Sequence, residues 1–396
     1  MSPHGAFASA EVFRAFLKLG LTAFGGPIAH LGYFREEFVQ RRRWLDEAAY
    51  AELVALCQFL PGPASSQVGF ALGLMRGGVS GALLAWLAFT VPSALFMLLV
   101  AYGADGYGGP VGQLIVRGLK LVAVAIVAHA LWGMARNLCP DVQRAVIAAL
   151  AAVALLMLPG AAAQVSAIAA GALAGMWICR HVSARETGSL QVAVSRRTGA
   201  FALASFFVLL VGLPLLVTAW PQAYAQLFEA FYRAGALVFG GGHVVLPLLE
   251  ARVVGQGWTT PDVFLTGYGA AQAVPGPLFS FAAYLGAVVA SQPLIGAALA
   301  LVGIFLPGFL LLVGVLPFWN ALRERPWAYA AIAGANAAVV GVLAAALYRP
   351  VWTSAIADIA DVAIAAIGFL LLVALRLPPW SVVLLVVAAT VGVRMI

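Results

Sequence analysis

Apolar residues gather along this chain into runs near 12–34, 48–75, 79–102, 114–136, 143–159 and 162–179, and again near 199–219, 229–250, 262–290, 294–317, 327–348, 355–374 and 379–395. Runs of about 17–25 apolar residues are what a helix needs to cross a bilayer. The pattern therefore predicts an all-α polytopic membrane protein. A polar stretch from Arg180 to Arg197, with four arginines among Ser, Thr, Gly and Glu, separates two halves and reads as a cytoplasmic connector.

The halves repeat one another. Phe24-Gly25-Gly26-Pro27 recurs as Phe239-Gly240-Gly241-Gly242, and Gln58-x-x-Pro61-Gly62-Pro63 recurs as Gln272-x-x-Pro275-Gly276-Pro277. Gly81 and Pro92 match Gly296 and Pro307 at the same offset of about 215 residues. This divides the chain into a first repeat at 1–180, a linker with one connecting transmembrane helix at 181–220, and a second repeat at 221–396. Seven apolar segments precede the second repeat, and seven is odd, so the repeats have inverted topology. Secondary transporters use that arrangement, with a midplane site where discontinuous helices meet.

The distribution of arginines refines the count, because short basic loops resist translocation. With the N-terminus inside, Arg136, Arg144, Arg180, Arg185, Arg196, Arg197, Arg323, Arg325 and Arg376 fall on the cytoplasmic side, but Arg35, Arg41, Arg42 and Arg43 do not. The conflict disappears if the first two segments are re-entrant hairpins broken at their Gly/Pro motifs, since residues 12–24 make only ~20 Å of helix. Their counterparts at 229–250 and 262–290 then dip from the opposite face, leaving Arg252 and Arg349 as exceptions. The expectation is nine spans and four hairpins.

Composition agrees. Of 396 residues 63% are hydrophobic and 9% charged, too few charges to cover a soluble globule of this size. The net charge of +7 is spread between apolar segments, which speaks against nucleic acid as a partner. Cys57, Cys139 and Cys179 lie far apart, with neither metal-ligand nor disulfide-framework spacing. Residues Met1 to Glu11 lack the basic start and cleavage site of a signal peptide, so the first segment is expected to be retained. Nucleotide, zinc-protease and nucleophile-elbow motifs are missing. The reading is a non-enzyme without cofactor or metal.

Chemistry is expected at the four breaks. Irregular backbone at membrane depth is tolerated only inside protein or beside a water-filled cavity. Each break precedes a new helix, near Ile28 and Ala64 in the first half, and helix starts present free N–H groups and partial positive charge that favour an anion. Gly25, Gly26, Pro27, Pro61, Gly62, Pro63, Gly240, Gly241, Gly242, Pro275, Gly276 and Pro277 would shape such a cradle. Gln58, Gln272, Ser65 and Ser66 would add hydrogen bonds, with Gln67 beside them, and His30 and His243 could donate to an anion or move a proton. Lys18 stands two helical turns before Gly25 and would attract the anion, against the plainer alternative that it snorkels to the headgroups. Arg117 and Lys120 are equally well read as interface anchors. Glu52, Glu229 and Glu250 lie near hairpin ends, either as headgroup-level caps or as proton-coupling carboxylates.

The stretch from Phe24 to Phe34, Gln58-Phe59-Leu60-Pro61-Gly62-Pro63 and their second-half counterparts resemble the chromate ion transporter family, of the long-chain two-domain type. The resemblance covers nearly the whole chain. Gly25, Gly26, Pro27, His30, Gln58, Pro61, Gly62 and Pro63 match the family motifs without substitution, whereas Gly242 and Val245 stand where the first repeat has Pro27 and His30. The polar half of the cradle is therefore expected to be the first, the second serving more as a gate. The resemblance implies a multi-pass protein of the bacterial inner membrane that expels chromate and confers chromate resistance, driven by the proton motive force. Sulfate, of equal charge and similar shape, would compete. An oxyanion permease, a passive anion channel and a membrane-embedded reductase remain alternatives. The forty-two glycines leave contacts for a homodimer without specifying one.

Overall fold

The computed structural model of the chain describes residues 3–103, 109–158, 160–180, 194–239, 242–323 and 325–395. Most of the polar linker, at 181–193, and the pair Gly240 and Gly241 lie outside the described residues.

The first repeat comprises α1 (Pro3–Thr22), α2 (Gly26–Phe34, continued by a π-helical turn at Arg35–Arg41), α3 (Glu47–Phe59), α4 (Ala64–Tyr102), α5 (Pro110–Leu138), α6 (Val142–Met157) and α7 (Ala161–Ile178). After the connecting α8 (Arg196–Ala219) the second comprises α9 (Ala223–Ala236), a 3-10 turn at Gly242–Val244 leading into α10 (Val245–Val253), α11 (Pro261–Ala271), and a 3-10 turn at Leu278–Ser280 leading into α12 (Phe281–Val289). It continues with α13 (Pro293–Val315), the short α14 (Trp319–Arg323), α15 (Pro326–Ala346), the one-turn α16 (Thr353–Ala355), α17 (Ile359–Val373) and α18 (Pro379–Met395). No strand occurs among the described residues.

α4 is not one straight rod. Gly77 (φ −132, ψ 16) and Gly78 (φ 63, ψ −155) leave helical geometry, and a Cβ on Gly73 would lie 2.5 Å from the Gly81 carbonyl oxygen. Eight residues of straight helix would hold those two positions about 12 Å apart. The chain therefore doubles back, as the gap between the apolar runs 48–75 and 79–102 predicts. The same hairpin closes in the second repeat, where a Cβ on Gly286 would lie 2.2 Å from the Gly296 carbonyl oxygen. Absent side chains let the two backbones touch. Gly286→Val is accordingly expected to lower stability by about 1–3 kcal/mol, the usual cost of overpacking, read as a fall of several degrees in thermal unfolding in detergent. An unchanged melting temperature would contradict this packing.

One expectation is revised. α1 begins at Pro3, not near residue 12, so it is about 30 Å long. Its early turns are polar: Ser9 Oγ meets Ser80 Oγ, and Glu11 accepts hydrogen bonds from Arg42, Trp44 and Arg76. Among the described residues five helical stretches are long and apolar enough to cross a membrane, at Ala64–Tyr102 (which doubles back at Gly77 and Gly78), Val111–Leu138, Arg196–Ala219, Pro293–Leu322 and Pro326–Ala355. The helices found at the segments predicted at 143–159, 162–179, 355–374 and 379–395 have 16, 18, 15 and 17 residues. Side-chain caps from Asp141 and Asp358 start α6 and α17, and a turn at Gly160 starts α7.

Equivalent helices pack equivalently. α1 lies on α4 as α9 lies on α13, and α5 meets α17 and α18 as α15 meets α6 and α7. α8 rests on α13 and α9, with 11% of its apolar window buried, so it turns most of its apolar surface outward. Buried phenylalanines fill the centre of each repeat: Phe16, Phe34, Phe38 and Phe89 in the first, Phe231, Phe264, Phe281 and Phe305 in the second.

Candidate functional site

All four breaks meet. In the first, Gly25 (φ 103) and Gly26 (φ 75) occupy left-handed backbone that a side chain would strain. Pro27 then falls in the first turn of α2, where its missing N–H is no loss. Gly62 (φ 125) and Gly276 (φ 96) turn the two Pro-Gly-Pro breaks. The Gly62 N–H donates to the Val238 carbonyl at 2.7 Å, and the Gly276 N–H donates to the Ala23 carbonyl at 2.9 Å. Ala23 and Val238 are equivalent residues, each just before the Phe-Gly-Gly of its own repeat. Each Pro-Gly-Pro break thus bonds to the Gly-Gly break of the other repeat. Such reciprocity is the signature of a two-fold relation between the halves. A Cβ on Gly242 would lie 3.3 Å from Pro27 Cγ, so the turns that follow the two Gly-Gly breaks also face each other.

Polar groups lie beside the breaks of both repeats. His30 is fully buried against the Phe89 ring. Its Nε2 lies 3.2 Å from the Ala23 carbonyl and its Nδ1 3.4 Å from Ser65 Oγ. A carbonyl can only accept, so Nε2 carries the hydrogen; a neutral ring then accepts at Nδ1, and the Ser65 hydroxyl donates to it. Ser65 is committed, whereas the buried Ser66 hydroxyl has no partner. Gln272 Nε2 likewise has none. Gln58 is exposed on the last turn of α3. His243, in the 3-10 turn after the second Gly-Gly break, pairs through Nδ1 with the buried Tyr268 hydroxyl at 2.7 Å.

Three further residues take part, of which the sequence points to Gln67 but not to Thr90 or Ser93. Gln67 Nε2 donates to the Pro61 and Gly308 carbonyls at 3.1 and 2.9 Å and so ties the two repeats together, while its Oε1 is unpartnered. Thr90 has a buried hydroxyl without a partner, and Ser93 donates to the Thr90 carbonyl at 2.9 Å beside Gly276. Polar residues flanking Pro92 in an otherwise apolar run were the available clue.

None of the helix starts after the breaks has a side-chain cap recorded at α2, α4, α10 or α12. Asp46, Asp141, Ser195, Thr260 and Asp358 cap helices elsewhere, while α5, α7, α9, α13 and α15 also start without a side-chain cap. At α2 and α4 no side chain competes with a bound anion for the first-turn N–H groups, whereas ahead of α12 the Ser280 and Phe281 N–H groups already donate to the Pro277 and Leu278 carbonyls.

The cations stand apart from this centre. Lys18 is half-exposed and pairs with Glu37 at 3.4 Å, and Glu37 also holds Arg41 and Arg42. The equivalent network of the second repeat joins Glu229 to Arg233 at 2.6 Å and to Arg252. Both networks tie the first helix of a repeat to the helix beyond its break. Arg117 and Lys120 are tertiary ion pairs rather than interface anchors: Arg117 forks onto Asp361 at 2.6 and 3.0 Å and also meets Asp358, while Lys120 meets Asp262 at 2.8 Å. Glu52 is fully buried, and the Trp319 indole donates to it at 2.5 Å.

A multi-pass helical membrane protein with two related halves and interrupted helices at its centre has the architecture from which secondary transporters are built. The sequence model of the chromate transporter family matches residues 10–176 and 225–393, one repeat each. The chain belongs to the chromate transporter family. It is 28% identical over 87% of its length to a probable chromate transport protein of Synechococcus elongatus, covering 85% of that protein. It is 29% identical over 85% of its length to a chromate transport protein of Pseudomonas aeruginosa, covering 79% of it. A chromate transport protein of Cupriavidus metallidurans is 28% identical over 85% of this chain and 81% of its own. No solved structure matches the chain.

Proposed function

We propose that this protein exports chromate across the bacterial inner membrane by alternating access, driven by the proton motive force, and so confers chromate resistance. The observation that carries the reading is the crosswise bonding of the breaks at Gly62 and Gly276, which brings the interrupted helices of both repeats together. Peptide N–H groups near Pro27 and Pro63 coordinate the dianion, while the Ser66 hydroxyl and the amides of Gln58 and Gln272 add hydrogen bonds. His30 and Ser65 hold the first break in place, Gly240, Gly241 and His243 belong to the facing gate, and Lys18 attracts the anion toward the entrance. The break residues offer partial rather than full positive charge, which suits a guest that must also leave. The linker lies on the cytoplasmic side, and the inverted repeats let the centre open alternately to either face.

The test uses everted membrane vesicles that carry the chain. Energised vesicles are expected to accumulate chromate, a protonophore to abolish the accumulation, and excess sulfate to slow it. Accumulation no greater than in vesicles without the chain would refute chromate export, and accumulation that survives the protonophore would refute proton coupling.

A further inference from the structure

A second polar hollow lies away from the breaks. A cavity of about 270 Å³ sits where the α6–α7 turn, the far end of α10 and the end of α15 come together, and Gln164, Pro247, Glu250 and Arg349 line it. Glu250 is eight residues beyond Gly242, about 12 Å along the helix that leads away from the second Gly-Gly break.

Two acceptors share this cavity without a donor. Gln164, 8% exposed, donates through Nε2 to the Pro247 carbonyl at 3.1 Å and so pins α7 to α10, but its Oε1 has no partner. Glu250 has neither a hydrogen-bond nor an ion-pair partner among the described residues, and Glu36, the other acid in that position, is exposed. Every remaining described acid is paired or caps a helix, Glu37, Glu229 and Asp361 by arginines and Glu52 by Trp319.

The charged groups around α10 are otherwise engaged. Its Arg252 closes on Glu229 of α9, which Arg233 also holds; His243 pairs with Tyr268 of α11, and Asp262 of α11 pairs with Lys120 of α5. α7 and α15 bring no ionisable side chain to the lining, so Arg349 is the charged group that shares the cavity with Glu250. The two are not within salt-bridge distance of each other.

We propose that Glu250 is a proton-loading site. Its carboxylate takes a proton from hydronium entering the cavity, forming the neutral acid and water. The new O–H is a donor in a cavity where the Gln164 Oε1 acceptor is unmatched. A proton suits the site better than a metal cation because Arg349 repels a resident cation, whereas protonation removes the charge of Glu250 altogether. Loading acts on the helix that follows the second break, and this role as the coupling site rests on the proton-driven transport proposed above.

The experiment uses the purified full chain in proteoliposomes with Glu250→Gln and Glu250→Asp. With Glu250→Gln, exchange of labelled chromate at equal concentrations across the membrane is expected to stay within about twofold of wild type, showing a folded carrier. Accumulation driven by a pH gradient should fall at least tenfold, and Glu250→Asp should restore part of it. Independently of any substrate, the infrared difference between acid and alkaline samples should lose a protonated-carboxyl band in Glu250→Gln. Wild-type accumulation in Glu250→Gln, loss of exchange together with accumulation, an unchanged infrared difference, or accumulation driven by a sodium gradient at equal pH would each overturn the proposal. Absence of chromate exchange in the wild type would instead refute the transport reading, and the carboxyl band would still decide whether Glu250 takes up a proton.

Discussion

Gly62→Leu is expected to reduce chromate accumulation in everted vesicles at least a hundredfold, with the protein still present in the membrane. The residue sits at φ 125, where a side chain costs about 1–3 kcal/mol in backbone strain. A Cβ there would also lie 2.9 Å from Gln67 Nε2 and 3.0 Å from Gly308 Cα. One neighbour is the amide that bridges the repeats and the other is backbone, so neither yields without moving the break. Displacing Gly62 also strains its bond to Val238, one of the two crosswise links. Each 1.4 kcal/mol is a factor of ten, so strain and lost contacts together reach two orders of magnitude. Gly276→Leu should act alike, because its Cβ would lie 2.9 Å from Ser93 Oγ and 3.1 Å from the Phe89 carbonyl oxygen. Wild-type uptake rates in both variants would remove the breaks from the transport path.

Asp361→Ala is expected to cost about 3–5 kcal/mol of stability, the usual penalty for leaving buried charge without its counterion. The Asp361 side chain is fully buried and holds Arg117 of α5 and Arg394 of α18, and it also accepts from the Ala357 N–H. Removing it leaves Asp358 as the one acid of α17's start that still holds Arg117 and Arg394. Thermal unfolding in detergent should show the loss as a large drop in midpoint, and Asp358→Asn a much smaller one, since Asp358 is 38% exposed and screened by solvent. Similar drops for the two variants would mean that burial does not set the difference. The pH dependence has a definite sign. Hydrogen bonding to Arg394 leads the causes that hold the Asp358 carboxyl at about 2, below its ordinary 3.8. Its contribution is therefore complete above about pH 4 and is lost as pH falls toward 2.

The broken helices were legible because Gly-Gly and Pro-Gly-Pro interrupt apolar runs that would otherwise continue, and because both interruptions recur at one offset. The hairpin at Gly77 and Gly78 showed in the sequence only as the gap between the apolar runs 48–75 and 79–102. Lys18 was harder to place. Its spacing from Gly25 locates it on the helix but says nothing of Glu37, which reaches it from the segment beyond the break. Arg117 and Lys120 looked like headgroup anchors for a related reason, since their partners Asp361, Asp358 and Asp262 lie more than a hundred residues away. The start of α1 was misjudged because its early turns are polar, and an apolar window does not register a helix held by ion pairs.

By itself the sequence determined the membrane class, the two repeats and the positions of their breaks, since hydrophobic run length and backbone freedom are properties of neighbouring residues. Tertiary structure alone decided which break bonds to which, that Ser65 is committed to His30 while Ser66 is free, and that Glu250 shares a cavity with Gln164 and Arg349. Those outcomes depend on distances between residues far apart in the chain. Such distances are set by the close approach of whole helices, and no local pattern encodes them.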